Sequence, residues 1–112
     1  MARTLEVNHS QAELYEQAEL CELFRILSDQ TRLQILLCLA DSDRTVKDIS
    51  SELNMTQPTI SHHLSLLRMN RLIIDTRQGK TVSYSLTAMV KGTKNSLKIH
   101  IPPYTVSVNI GN

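Results

Sequence analysis

Over residues 11–27 apolar side chains recur at helical spacing, and Glu13 and Glu16 stand in the opening turns, where carboxylates suit the positive end of the helix dipole. At 100° per residue the stretch carries two apolar stripes. Leu20, Leu23, Phe24 and Leu27 form one; Leu14, Ala18 and Cys21 form the other, roughly 130° away. A helix with two such faces gives one to its own core and the other to a second subunit. Ser28-Asp29 offers an N-cap to a second helix over residues 30–40, whose Leu33, Ile35, Leu36, Leu37, Cys38 and Leu39 run nearly all round the axis, as in a central buried helix. After the polar break at residues 41–44, Thr45-Val46-Lys47-Asp48 forms a capping box with Asp in place of Glu, opening a short helix that buries Val46, Ile49 and Leu53. Asn54-Met55 makes a turn. Thr56 then caps a helix over residues 57–70, with Pro58 in its first turn, where a missing N–H costs little.

That last helix is cleanly divided. Ile60, Leu64 and Leu67 share one face with His63 at its edge, while Pro58, Ser61, His62, Ser65 and Arg68 lie opposite. A short helix, a tight turn and a second helix with a hydroxyl- and imidazole-bearing outer face is a helix-turn-helix arrangement, and such groups address base edges without repelling phosphate. Residues 73–77 and 81–86 read as two strands about Gln78-Gly79, with Val82, Tyr84 and Leu86 alternating against Thr81, Ser83 and Ser85. Arg77 and Lys80 stand at the tip. The fold class is therefore mainly α with a β-hairpin wing, a winged helix-turn-helix. The candidate DNA-binding residues are Thr56, Gln57, Thr59, Ser61, His62, Ser65, Arg68, Arg77 and Lys80; the candidate dimer interface is Leu14, Ala18 and Cys21.

Charge sharpens this picture. The 112 residues hold 12 Lys and Arg against 11 Asp and Glu, yet residues 1–60 carry five basic and ten acidic side chains, whereas residues 61–112 carry seven basic side chains and Asp75 alone. An acidic scaffold half and a basic half directed at a polyanion follow from that division. No apolar run approaches the ~20 residues of a membrane helix, residues 1–20 have no apolar signal core, and two cysteines make no disulfide framework, so a cytoplasmic protein without a membrane partner is expected. No phosphate loop, metalloprotease motif or nucleophile elbow is present, which argues against an enzyme.

Residues 27–87, which span 61 of the 112, resemble the winged-helix repressors of the ArsR/SmtB type. The resemblance rests on the L-S-D-Q-T-R-L-Q-I-L segment, the T-Q-P-T-I-S-H-H-L recognition helix and the R-Q-G-K-T-V-S-Y-S-L wing. It implies a homodimeric regulator whose two recognition helices enter successive major grooves of a palindromic operator on double-stranded DNA, released by an inducer. It also implies a dimer interface built from the first helix and a C-terminal helix.

Two departures follow. Many members bind metal through two cysteines at the start of the helix before the recognition helix; here those positions hold Thr45 and Lys47, and a protonated lysine has no lone pair to offer. A second family site draws Asp and His from the C-terminal helix, but after Asp75 this chain has no carboxylate side chain and His100 is its one histidine. No metal or other cofactor is therefore expected at the customary sites. A thiol- or metal-responsive repressor using Cys21 and Cys38, with His9 as a further ligand, is one alternative; a winged helix that binds a protein partner instead of DNA is another. Beyond the winged domain of residues 11–87 and a flexible N-terminus over residues 1–10, residues 88–112 are expected to form an atypical segment, a short helix and then an extended tail. Thr87 to Val90 begins the helix, Thr105 to Ile110 alternates like a strand, and Pro102-Pro103 bars any helix through that stretch.

Overall fold

The computed structural model describes residues 11–111; the N-terminus expected to be flexible, His9 included, lies outside the described residues. Helix α1 (Gln11–Leu27) and helix α2 (Gln30–Asp41) meet at a joint of two residues. The Asp29 carboxylate caps α2 by accepting the Arg32 N–H at 3.1 Å, and that bond holds the Asp29 carboxyl below the usual carboxylate range. Arg32 reaches the other way. Its guanidinium donates to the Ile26 and Arg25 carbonyls, at 3.0 and 3.4 Å, at the C-terminal end of α1. One short segment thus satisfies two helix ends.

Helix α2 is the centre of the molecule: Ile35, Leu36 and Leu39 are buried, and it packs against every other helix. On α1 the core takes Leu23 and Ile26. Here the first expected stripe needs correction, because Phe24 is 50% exposed and Ile26 takes its place. Leu23, Ile26 and Leu27 are spaced three and four residues apart and share one side, whereas Phe24 is turned 100° off it.

Helix α3 (Val46–Leu53) opens with the expected capping box: the Thr45 hydroxyl accepts the Asp48 N–H at 3.1 Å, and the Asp48 carboxylate accepts the Thr45 N–H at 3.0 Å. It closes on Asn54 in the left-handed region, φ 55°. Helix α4 (Gln57–Met69) ends in a Schellman motif. The Leu72 N–H bonds the Leu67 carbonyl and the Arg71 N–H bonds the Arg68 carbonyl, with Arg71 itself at φ 62°.

Strands β1 (Ile73–Gln78) and β2 (Thr81–Leu86) form the wing, in register from Ile73↔Leu86 to Gln78↔Thr81. Gly79, at φ 62°, takes the first position of the two-residue turn, where the hairpin turns that match strand twist demand positive φ. Tyr84 and Leu86 pack on the core, and Arg44 adds a single antiparallel bridge to Tyr84.

Residues 88–112 depart from expectation. No helix forms there among the described residues; a three-stranded antiparallel sheet does, in the order β3 (Val90–Thr93), β4 (Ser96–Ile101) and β5 (Tyr104–Asn109). The cause is a period of two along β4, which buries Leu97, Ile99 and Ile101 and exposes Lys98 and His100. Pro102-Pro103 is the two-residue loop between β4 and β5, a place that asks nothing of a backbone N–H. Gly92 is needed where the β3–β4 hairpin closes, since a Cβ there would stand 2.0 Å from the Ser96 carbonyl oxygen. The sheet lays Val90, Leu97 and Ile99 onto the core beside α1 and α2. No helix among the described residues is long and apolar enough to cross a membrane.

Candidate nucleic-acid interface

Three kinds of side chain stand on the outer side of α4, and hydrogen bonding separates them. Thr56 and Thr59 are engaged with each other: the Thr56 hydroxyl caps the helix by accepting the Thr59 N–H at 3.4 Å, and the two hydroxyls lie 2.8 Å apart. Their structural task is to start the helix at Gln57. Gln57, Ser61, His62 and Ser65 are exposed, and none makes a side-chain hydrogen bond among the described residues. Their donors and acceptors face solvent unspent. Arg68, one turn further, is exposed and reaches Asp75 at 3.5 Å, a long and solvent-screened pairing that a phosphate would displace at little cost.

The opposite side of α4 is fixed by Ile60, Leu64 and Leu67, all buried. His63 stands at the edge of that side, as expected. Its Nδ1 is buried and has no hydrogen-bond partner, although the charged groups of Asp29 and Arg32 at the start of α2 act on the ring. Burial therefore holds the His63 imidazole below its ordinary pKa, against the opposing pull of Asp29.

At the wing tip Lys80 is exposed, and the Arg77 Nε donates to the Gly79 carbonyl at 3.2 Å, which folds the arginine over the turn. A residue that sequence reasoning passed over as part of a polar break adds a tie between the wing and the start of α3. Arg44 pairs its backbone with Tyr84, and its guanidinium donates to Asp41 at 3.0 Å and to Glu52 at 2.7 Å. A single bridge has no periodicity; the one trace of it in the sequence is an arginine placed between two carboxylates at loop spacing.

The candidate dimer residues Leu14, Ala18 and Cys21 are all exposed on one side of α1, where Phe24 extends the patch. Cys38 is only partly buried rather than enclosed; burial raises its thiol pKa, and the Glu52 carboxylate adds to the rise. Thr45 and Lys47 flank the start of α3, with the Thr45 hydroxyl and the Asp48 carboxylate spent on the capping box. Among the described residues no three of His, Cys, Asp and Glu gather as a metal-binding group.

Residues 29–75 match the family described as bacterial regulatory protein, arsR family. The chain is 46% identical over 67 residues to the arsenical resistance operon repressor of Escherichia coli, a match covering 59% of this chain and 57% of that one, so the chain spans little more than half of that relative's length. It is 41% identical over 68 residues to the transcriptional repressor SdpR of Bacillus subtilis, covering 61% of this chain and 76% of the relative. Among solved structures, the homodimeric winged helix-turn-helix DNA-binding domain of Mb0332 from Mycobacterium bovis superposes with a TM-score of 0.65 at 26% identity, over 72% of this chain and 75% of that one.

Proposed function

The chain belongs to the ArsR family of bacterial regulatory proteins, whose members are transcriptional regulators and not enzymes, and we propose that it is a homodimeric repressor that grips a palindromic operator. One observation carries this: the unspent polar row Gln57, Ser61, His62 and Ser65 on α4, flanked by the cations Arg68, Arg77 and Lys80. Amide, hydroxyl and imidazole groups both donate and accept toward base edges in a major groove, while the cations take phosphates and set the register. Two such helices, carried by two protomers, read two half-sites about 34 Å apart. The exposed patch of Leu14, Ala18, Cys21 and Phe24 supplies the seam between protomers.

The repressor works without the family's customary metals. Thr45 is committed to capping α3, and Lys47 brings a positive charge to the position where a thiolate would bind a cation. The exposed Cys21 keeps a thiol-responsive form of the same repressor open, because it stands within the seam patch.

Fluorescence anisotropy with the duplex upstream of the protein's own gene tests the function. Log affinity should fall linearly with log salt, with a slope of roughly 0.9 for each phosphate neutralised. Affinity that does not change between low and physiological salt would eliminate DNA as the partner and leave a protein-binding winged helix.

A further inference from the structure

The C-terminal sheet has an outer face of unusual make-up. Lys91 of β3 lies directly opposite Lys98 of β4 in the antiparallel register, and both are exposed. Like charges so placed repel, and among the described residues neither is relieved by a carboxylate. Relief within the sheet is impossible in any case, because no Asp or Glu follows Asp75.

The rest of the same face is polar and uncharged. Next to Lys98 on β4 is His100, whose Nδ1 lies 3.1 Å from the Thr105 hydroxyl across the ladder. Register places the Thr93, Ser96 and Ser107 hydroxyls on this side too, with Lys94 in the adjoining turn. Every apolar residue of β4 points the other way, into the core. A solvated sheet face would mix both signs of charge and carry scattered apolar residues. This one carries only cations among its charged groups and no Phe, Tyr or Trp ring, and its one imidazole, His100, is engaged with Thr105.

We propose that the outer face of the β3–β4–β5 sheet is a second polyanion-binding surface, which takes the phosphate backbone of duplex DNA outside the operator half-site read by α4 and the wing. The sheet is mounted on α1 and α2 rather than on α4, so its contacts add length to the footprint instead of duplicating the recognition helix. A phosphate between Lys91 and Lys98 converts their mutual repulsion into shared attraction. With His100 as its one flat ring, the face offers no row of platforms for successive unpaired bases, which favours duplex over single strands. The inference rests on the DNA-binding function proposed above.

The test compares the full-length wild type with the K91Q/K98Q variant on two duplexes from upstream of the gene: one of about 20 base pairs centred on the operator, and one carrying about 15 further base pairs on each side. On the long duplex the variant should bind several-fold more weakly, and its salt slope should drop by about 0.9 per phosphate lost, up to ~3.6 for two lysines in two protomers. On the short duplex it should match wild type. K91R/K98R, which keeps the charge, should restore the long-duplex slope, and thermal unfolding of both variants should match or exceed wild type. If K91Q/K98Q equals wild type on both duplexes while wild type still binds with a steep salt slope, the sheet face is merely solvated and this inference fails alone. If wild type binds neither duplex, the operator function fails, and the second surface with it.

Discussion

Arg44 and Tyr84 exchange both of their backbone hydrogen bonds, with the Arg44 N–H on the Tyr84 carbonyl at 3.1 Å and the Tyr84 N–H on the Arg44 carbonyl at 2.7 Å. The pair joins the loop before α3 to the second strand of the wing, and the Arg44 side chain anchors it by spanning Asp41 and Glu52. The Arg44 bridge thus adds a backbone tie between the start of α3 and the wing to the packing of Tyr84 and Leu86 on the core.

Arg44→Ala should leave the bridge in place but remove both ion pairs. Partly exposed pairs are worth ~0.2–1 kcal/mol each, so a loss of about 1 kcal/mol in urea unfolding is expected. Wing amides, those of Ser83 and Ser85 included, should exchange faster with deuterium.

Leu14→Glu places a charge in the exposed patch of α1. Sedimentation of the wild type at micromolar concentration should show a dimer, and the variant should sediment as a folded monomer with operator binding lost, since one α4 covers one half-site. A monomeric wild type would reassign that patch.

Gln57 and Lys80 should fail differently. Gln57→Ala should relax preference at one base position by roughly 1–3 kcal/mol, whereas Lys80→Ala should weaken every sequence alike and flatten the salt slope. A panel of single-base operator variants measured by anisotropy separates the two patterns.

His63 makes stability depend on pH. Burial holds its folded-state pKa below the ordinary 6.5, so the unfolded chain takes up a proton before the native chain does. Its contribution is complete above about pH 6.5 and declines as pH falls from there through the lowered native value. Urea midpoints should drop between pH 7.5 and 5.5, and His63→Leu should flatten that difference.

Zinc titrated into the reduced dimer against a competing chelator should find no stoichiometric tight site. Tight binding abolished by Cys21→Ser would show instead a site built from α1.

The four helices were legible because each carries its own boundary chemistry: Asp29, Thr45 and Thr56 cap, Pro58 starts, and Asn54 stops. The wing was legible from Gly79 and the alternation that follows it. The C-terminal sheet was not, because Pro102-Pro103 bars a helix without showing which strands flank it, and the need for Gly92 arises only once the hairpin brings the Ser96 carbonyl against it. The alternation of Leu97, Ile99 and Ile101 with Lys98 and His100 was present all along. For the site, the residue types on α4 were legible, but which of them are spent was not. That Thr56 and Thr59 bond each other while Ser61 and Ser65 stay free depends on rotamers and on the helix start. The unpaired Nδ1 of His63 is likewise a fact of tertiary packing.

The joint at Asp29 and Arg32 has a mechanical consequence. With both helix ends tied by one short segment, the end of α1 and the start of α2 are held to each other, and α4 is packed against α2. A tilt of about 5° carried over about 25 Å, the length of α1, amounts to a displacement of roughly 2 Å. A hydrogen bond to a base edge does not survive a displacement of that size. In the proposed dimer a small rotation between protomers would reach α4 through this joint, without a change of shape inside the recognition helix or the wing.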